Sequence, residues 1–242
     1  SLVSYARYLP KYISERITAR HSALICAITP HEATIYRRWG APVITVPLRG
    51  LFRFAQMARP TLREGAPLHV FFMGASYAVS HNRAAAALVI EQVAPKAEQA
   101  APGVFVFHIL GGKLPEALKA QCDGVRVVYG GYVPNLDVFL EGMDIALIPF
   151  LMGAGMQQKV FEPITRGIPT ITTPRAIAGY DLVPLVHYVP GENAEDFVKA
   201  LTTLKDPIFR RDISTAASSK TAELFSKQHM DQLVLAALEK LT

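Results

Sequence analysis

A chain of 242 residues, half of them hydrophobic and 19% charged, has apolar material for one large α/β unit or two small ones and is too apolar to stay disordered. Its 25 Lys and Arg exceed its 20 Asp and Glu by five, but the basic residues form no run. A nucleic-acid partner therefore has little support, while the mild positive charge suits anionic ligands or peripheral contact with an anionic membrane face.

In chain order, residues 1–48 read as a small α-β-α-β unit. An amphipathic helix carrying Tyr5, Tyr8, Tyr12, Ile13 and Ile17 leads to a strand over 23–28. The run Thr29-Pro30-His31-Glu32 then supplies an N-cap, a proline at the first helical position and an acidic first turn. A helix to Trp39 and a strand over 43–46 follow, too little to build a core alone. Residues 49–67, with Pro, Gly and Arg and little regular pattern, read as linker.

From residue 68 short apolar runs alternate with helical patterns. Strands are expected at 70–74, 104–110, 125–129, 145–149 and 169–172, with 186–189 closing the sheet. The intervening helices are expected at 82–93, 114–121, 136–141 and 156–166. Continuous apolar strands between helices predict a doubly wound parallel sheet, covered on both faces. Asn193 caps a helix over 194–204, Asp206-Pro207 starts another, and 227–241 is a final helix.

Cys26 and Cys122, the only cysteines, each sit in or beside an apolar run. They read as free, buried thiols of a reducing compartment, with neither a disulfide framework nor a zinc site. No apolar stretch spans a bilayer and no signal-peptide pattern opens the chain, so a cytoplasmic location is expected, with peripheral contact at the inner membrane. A start at Ser1 without methionine reads as a processed or truncated piece.

Open α/β sheets bind ligands at the carboxyl ends of their strands. The loop of most interest there is Gly153-Ala154-Gly155-Met156-Gln157-Gln158-Lys159-Val160-Phe161-Glu162. Its glycines let backbone approach a ligand, and the helix that follows points free N–H groups at an anion. Lys159 and Glu162 share one helix face, where a lysine can meet phosphate and a carboxylate can accept from ribose hydroxyls. A Gly-rich turn opening an ordinary helix with an internal Lys–Glu pair fits the same spacing. The first strand ends in Gly74-Ala75-Ser76-Tyr77 and not Gly-x-Gly-x-x-Gly, which disfavours a dinucleotide dehydrogenase. His81 lies in the loop after that strand, facing the cleft. His108 lies within an apolar strand and reads as a satisfied core histidine. His31 beside Glu32 reads as a helix-start residue, Arg83 as an exposed helix arginine, and Ser76, Ser80 and Thr173 as phosphate donors or helix caps.

The string Gly153-Ala154-Gly155, Lys159-Val160-Phe161-Glu162 and Gly167-Ile168-Pro169-Thr170, preceded by Asp144-Ile145-Ala146-Leu147-Ile148-Pro149, resembles the C-terminal domain of GT-B glycosyltransferases, family 4 and related bacterial polysaccharide transferases above all. Phe72-Met73-Gly74-Ala75-Ser76 with His81-Asn82, Ile109-Leu110-Gly111-Gly112 and Gly131-Tyr132-Val133 fall in the same order, and residues 1–48 look like the end of the family's N-terminal, acceptor domain. The resemblance implies a Rossmann-like domain over 68–226 that binds a UDP-, GDP- or dTDP-sugar as substrate, without a cofactor or an Asp-x-Asp metal site. It implies a last helix, 227–242, that crosses back to 1–48. Glu162 would meet the ribose, Gly153, Ala154, Gly155 and Met156 the diphosphate, and Tyr132 and Val133 the base, with Gly111 nearby. Gly74, His81, Asn82 and Thr173 would complete the donor site, and Lys159 would take a phosphate or an ion pair; Lys159 and Glu162 are the catalytic candidates. Many family 4 members carry a glutamate where Ala154 stands, so the sugar contacts are unassigned. The implied activity is retaining transfer to a glycan or lipid-linked acceptor, completed by a missing acceptor domain or a partner subunit. A GT-B nucleotide-sugar epimerase and a non-catalytic half-enzyme are the alternatives.

Overall fold

The computed structural model describes the chain apart from residues 1, 49, 58–61, 154, 178, 240 and 242, and the side chains of 2–7. The N-terminal unit consists of α1 (Leu2–His21), β1 (Ile25–Ala27), α2 (Pro30–Arg38) and β2 (Val43–Thr45), with the two strands parallel. Thr29 starts α2 through a reciprocal capping box: its hydroxyl accepts from the Glu32 N–H, and the Glu32 carboxylate accepts from the Thr29 N–H. Tyr8 and Tyr12 are exposed, Tyr12 with its ring edge-on to Trp39 at 5.3 Å. Tyr5 lies outside the described side chains.

The second unit is a six-stranded, all-parallel sheet of β3 (Leu68–Ser76), β4 (Phe105–Gly112), β5 (Val127–Gly131), β6 (Ile145–Ile148), β7 (Thr170–Thr172) and β8 (Val189–Pro190). Its order, β5-β4-β3-β6-β7-β8, is the doubly wound one, with the winding direction reversing between β3 and β6. Val70, Phe71, Phe72 and the whole of β6 are buried, as strands covered on both faces must be. One face carries α4 (Ser80–Ala87), α5 (Ala94–Ala100) and α9 (Ala194–Thr203); the other carries α8 (Gln158–Thr165), packed against α3 (Leu51–Ala55) and α10 (Pro207–Leu224). Short helices α6 (Glu116–Lys119) and α7 (Leu136–Glu141) complete the crossovers, and α11 (Lys227–Leu238) reaches back to β2.

Four details differ from the sequence reading. The stretch read as linker holds α3, whose Leu51 and Phe54 are buried in the core of the second unit. The helix expected to stop at Val93 continues to Ala100, because a π-helical turn, Leu88–Val93, precedes Pro95, which has no N–H to donate. The closing strand is Val189–Pro190; Val186 and His187 belong to the turn before it, where the Val183 N–H donates to the His187 ring. Cys26 is exposed and Cys122 half-buried; Cys26 lines a gap between β1 and α11 with Met230, Val234 and Leu235.

Candidate functional site

A cavity of about 530 Å³ opens at the carboxyl ends of β3, β4 and β5, beside the point where the winding reverses. Its floor requires glycine. Gly111 has φ of 125°, and a side chain there would begin 1.6 Å from the Gly74 carbonyl oxygen. Beneath these two loops the fully buried Tyr77 donates to the Leu110 carbonyl at 2.6 Å, so the ends of β3 and β4 are pinned to each other. Burial raises the Tyr77 phenol above its ordinary pKa, and it stays a donor.

The chemistry-bearing wall is α8. Lys159 is half-buried, and its ammonium donates to Asn82 Oδ1 at 2.6 Å, while the Asn82 amide donates to the Ser76 carbonyl at 3.1 Å. Burial lowers the Lys159 pKa, and no acidic side chain pairs with it among the described residues. A desolvated cation without a counter-charge, lining a cavity, is poised for an anion.

Glu162 is the carboxylate of the same cavity, and Lys159 is not its partner. One turn further on, Arg166 donates to Glu162 Oε1 from Nε at 3.1 Å and from Nη2 at 2.8 Å. One turn earlier, Gln158 donates to Oε2 at 3.0 Å. Arg166 also pairs with Asp137 on α7 and lies 4.4 Å from the Phe54 ring centre. Spacing made Lys159–Glu162 and Glu162–Arg166 equally available as helix pairs. The structure selects the second because Arg166 points into the core under α3, whereas Lys159 points to Asn82.

Of the residues proposed from sequence, Gly74, His81, Asn82, Gly111, Tyr132, Val133, Lys159 and Glu162 all line this cavity. Tyr132 is 81% exposed, an unsatisfied aromatic face at its rim. Gly153, Gly155, Met156 and Thr173 are not part of its lining. The Gly153 loop turns instead toward the N-terminal unit: Gly155 faces the Glu32 carboxylate, 3.7 Å from where a side chain would start. The Thr173 hydroxyl donates to the Phe150 carbonyl at 2.9 Å and fixes that loop, and Met156 is buried. Ala154 lies outside the described residues. Ser76 Oγ accepts from the Ala78 N–H in the first loop, and Arg83 is exposed. Sequence reasoning missed Gln158, Arg166 and Tyr77.

His108, two residues before Leu110 on β4, is not part of the cavity lining. It stacks on His69 with ring centres 5.0 Å apart and an Nδ1–Nε2 contact of 2.8 Å. Buried Asp144 anchors the neighbourhood, accepting from the His69 and Arg63 N–H groups at 2.8 and 3.2 Å. Among the described residues no three His, Cys, Asp or Glu side chains are grouped so as to hold a metal ion. Nor is any helix there long and apolar enough to cross a membrane.

An all-parallel sheet in this order, with a cleft beside the reversal point, is a Rossmann-like architecture of the GT-B type. The chain belongs to the family glycosyl transferases group 1, whose model matches residues 67–206. It is similar in fold to an S. aureus TarM variant crystallised with fondaparinux, alpha-GlcNAc-glycerol and UDP (TM-score 0.73, 16% identity, covering 94% of this chain and 46% of that one). It is also similar to sucrose-phosphate synthase from Thermosynechococcus elongatus (TM-score 0.70, 15% identity, 95% and 61%). Anabaena HepE in complex with UDP-glucose is a third such structure (TM-score 0.65, 14% identity, 95% and 67%). The chain thus spans 46% of the first and 61% of the second. No curated protein sequence matches it.

Proposed function

We propose that this chain is the donor-binding portion of a retaining, family 4-like glycosyltransferase that moves a sugar from a UDP-, GDP- or dTDP-linked donor to a glycan or lipid-linked acceptor. The observation that carries the reading is the pair on α8: a half-buried, uncompensated Lys159 and a fixed Glu162 carboxylate in one cavity. A nucleoside diphosphate offers the matching chemistry, an anion for the lysine and ribose hydroxyls for the carboxylate. UDP or UDP-glucose in the TarM and HepE structures supports the same class of ligand. In transfer, the bond from the anomeric carbon to the diphosphate breaks with its electron pair on the phosphate oxygen. Lys159 then stands where that charge develops, in a partly desolvated cavity that strengthens the interaction. Tyr132 and Val133 supply an apolar rim for the base.

The exposed Tyr8, Ile17 and Ile28 of the N-terminal unit favour completion by an acceptor-binding unit, a further domain or a partner subunit. On this reading the isolated chain binds donor and does not transfer. The test is thermal stability against UDP, GDP, dTDP, ADP and their sugar conjugates. One of them at a hundred times its Kd should stabilise the fold by about 2.7 kcal/mol. Lys159→Met should abolish that response while leaving the unliganded protein as stable or more so, because a desolvated charge is removed. No response to any nucleotide, or an undiminished one in the variant, would remove the donor-site assignment.

A further inference from the structure

We infer that Arg166 is the positioning residue that makes Glu162 a reader of the nucleoside sugar's hydroxyls, and that it sets the preference for nucleoside diphosphates carrying those hydroxyls over their 2′,3′-dideoxy forms; this rests on the donor-site reading above. An exposed helix pair four residues apart contributes only a few tenths of a kcal/mol. This pair is different, with side-chain exposures of 7% for Arg166 and 5% for Glu162. Burying both charges is a poor device for stability, since an apolar pair of similar volume packs as well or better. What the arrangement provides is orientation.

A carboxylate has about four acceptor positions, two on each oxygen. Arg166 takes both on Oε1, through Nε and Nη2. Gln158 takes one on Oε2, and Gln158 is an exposed side chain of the first turn of α8, able to swing out. A ligand hydroxyl therefore finds Oε2 alone, at a point decided by the guanidinium. The guanidinium is itself held from every side: Asp137 accepts from Nη2, Met57 Sδ lies 3.2 Å from Nη1, and the Phe54 ring covers its face. Asp137 sits on α7, just after the loop of Tyr132 and Val133. Arg166 thus ties the carboxylate assigned to the ribose to the segment assigned to the base, and a nucleoside spanning the two meets a fixed distance between them. Nothing in the Gly-x-Gly loop is needed for this argument.

The experiment is calorimetric titration of the 242-residue chain with UDP, GDP and ADP and with their 2′,3′-dideoxy forms. The wild type should prefer one ribonucleotide over its dideoxy form by about tenfold or more, the scale of a hydrogen bond to a charged group. Arg166→Met should collapse that preference to within about threefold while keeping residual diphosphate affinity. Glu162→Gln should do the same, and the double variant should be no worse than either single one, the signature of residues acting as a unit. Arg166→Lys keeps the charge and loses the two-pronged contact. It should also collapse the preference, and it decides the question if melting shows that the methionine variant does not fold. A preference retained in the lysine variant, or a wild type that binds without preference, overturns the inference and leaves the donor site standing. A wild type that binds none of the nucleotides overturns the donor site and the inference with it.

Discussion

Gly111 shows how little freedom the cavity floor has. A methyl group there would overlap the Gly74 carbonyl, and the φ of 125° is strained for any L side chain. Gly111→Ala combines backbone strain with overpacking, so a loss of about 3 kcal/mol or more is expected in the urea midpoint. Gly112, with open space around it, is the control: Gly112→Ala should cost far less. Equal effects would mean that the β3 and β4 loops are not pressed together as described. Sequence pointed to Gly74 and Gly111 through likeness to a family. The physical reason, one carbonyl meeting one missing side chain, needed the sheet register that brings the two strand ends together.

At the scale of elements, the strands were legible because burial on both faces leaves continuous apolar runs. The helices α2, α9 and α10 were legible through their caps, Thr29, Asn193 and Asp206. α3 was not, because five residues are too few to display a helical period, and its apolar Leu51 and Phe54 look like scattered loop residues until α8 and α10 close over them. Arg166 was hidden similarly: its distance from Glu162 was visible, but which face of α8 would be buried was not. The strand pair β3–β4 adds a pH dependence that sequence did not suggest. The His108 pKa is pushed down to about 4, by burial first and then by His69 and Arg63, and that of His69 is lowered by burial and Arg63. At neutral pH both rings are uncharged in the folded protein, and His108 stays so down to about pH 4, while the same histidines in an unfolded chain take up protons near pH 6.5. Between pH 6.5 and about 4 the unfolded state thus holds more protons, and stability falls as pH falls through that window. Allowing for partial exposure, the loss should be about 1–2 kcal/mol. His108→Gln, which still bonds His69 but does not titrate, should flatten the denaturation midpoint across this range. An unchanged acid slope would place the titrating groups elsewhere.

At the scale of the molecule, two units of unequal size meet along one seam. The Tyr180 hydroxyl donates to the Ile28 carbonyl at 2.5 Å, Glu32 rests against Gly155, and α11 lies over β2. Tyr180 also stands edge-on to Phe161 and Phe225, at 5.3 and 5.4 Å between ring centres, so its ring is fixed by the large unit and its hydroxyl by the small one. Tyr180→Phe keeps the ring packing and removes the bond, for a cost of about 1 kcal/mol. Hydrogen exchange should then quicken in β1 and α2 and hold steady in β3 and β6. Uniform quickening would show that the seam is not an independent joint.

The contact between α11 and β2 also has a consequence for the order in which the protein can be made. On a ribosome β1 and β2 emerge before the large sheet, and the helix that covers β2 emerges after it. β1 and β2 must wait through synthesis of the entire large sheet with that apolar face uncovered. The small unit is therefore finished only by a helix that follows the large sheet, and a nascent chain stalled before Lys227 would carry that face open to chaperones or to its neighbours.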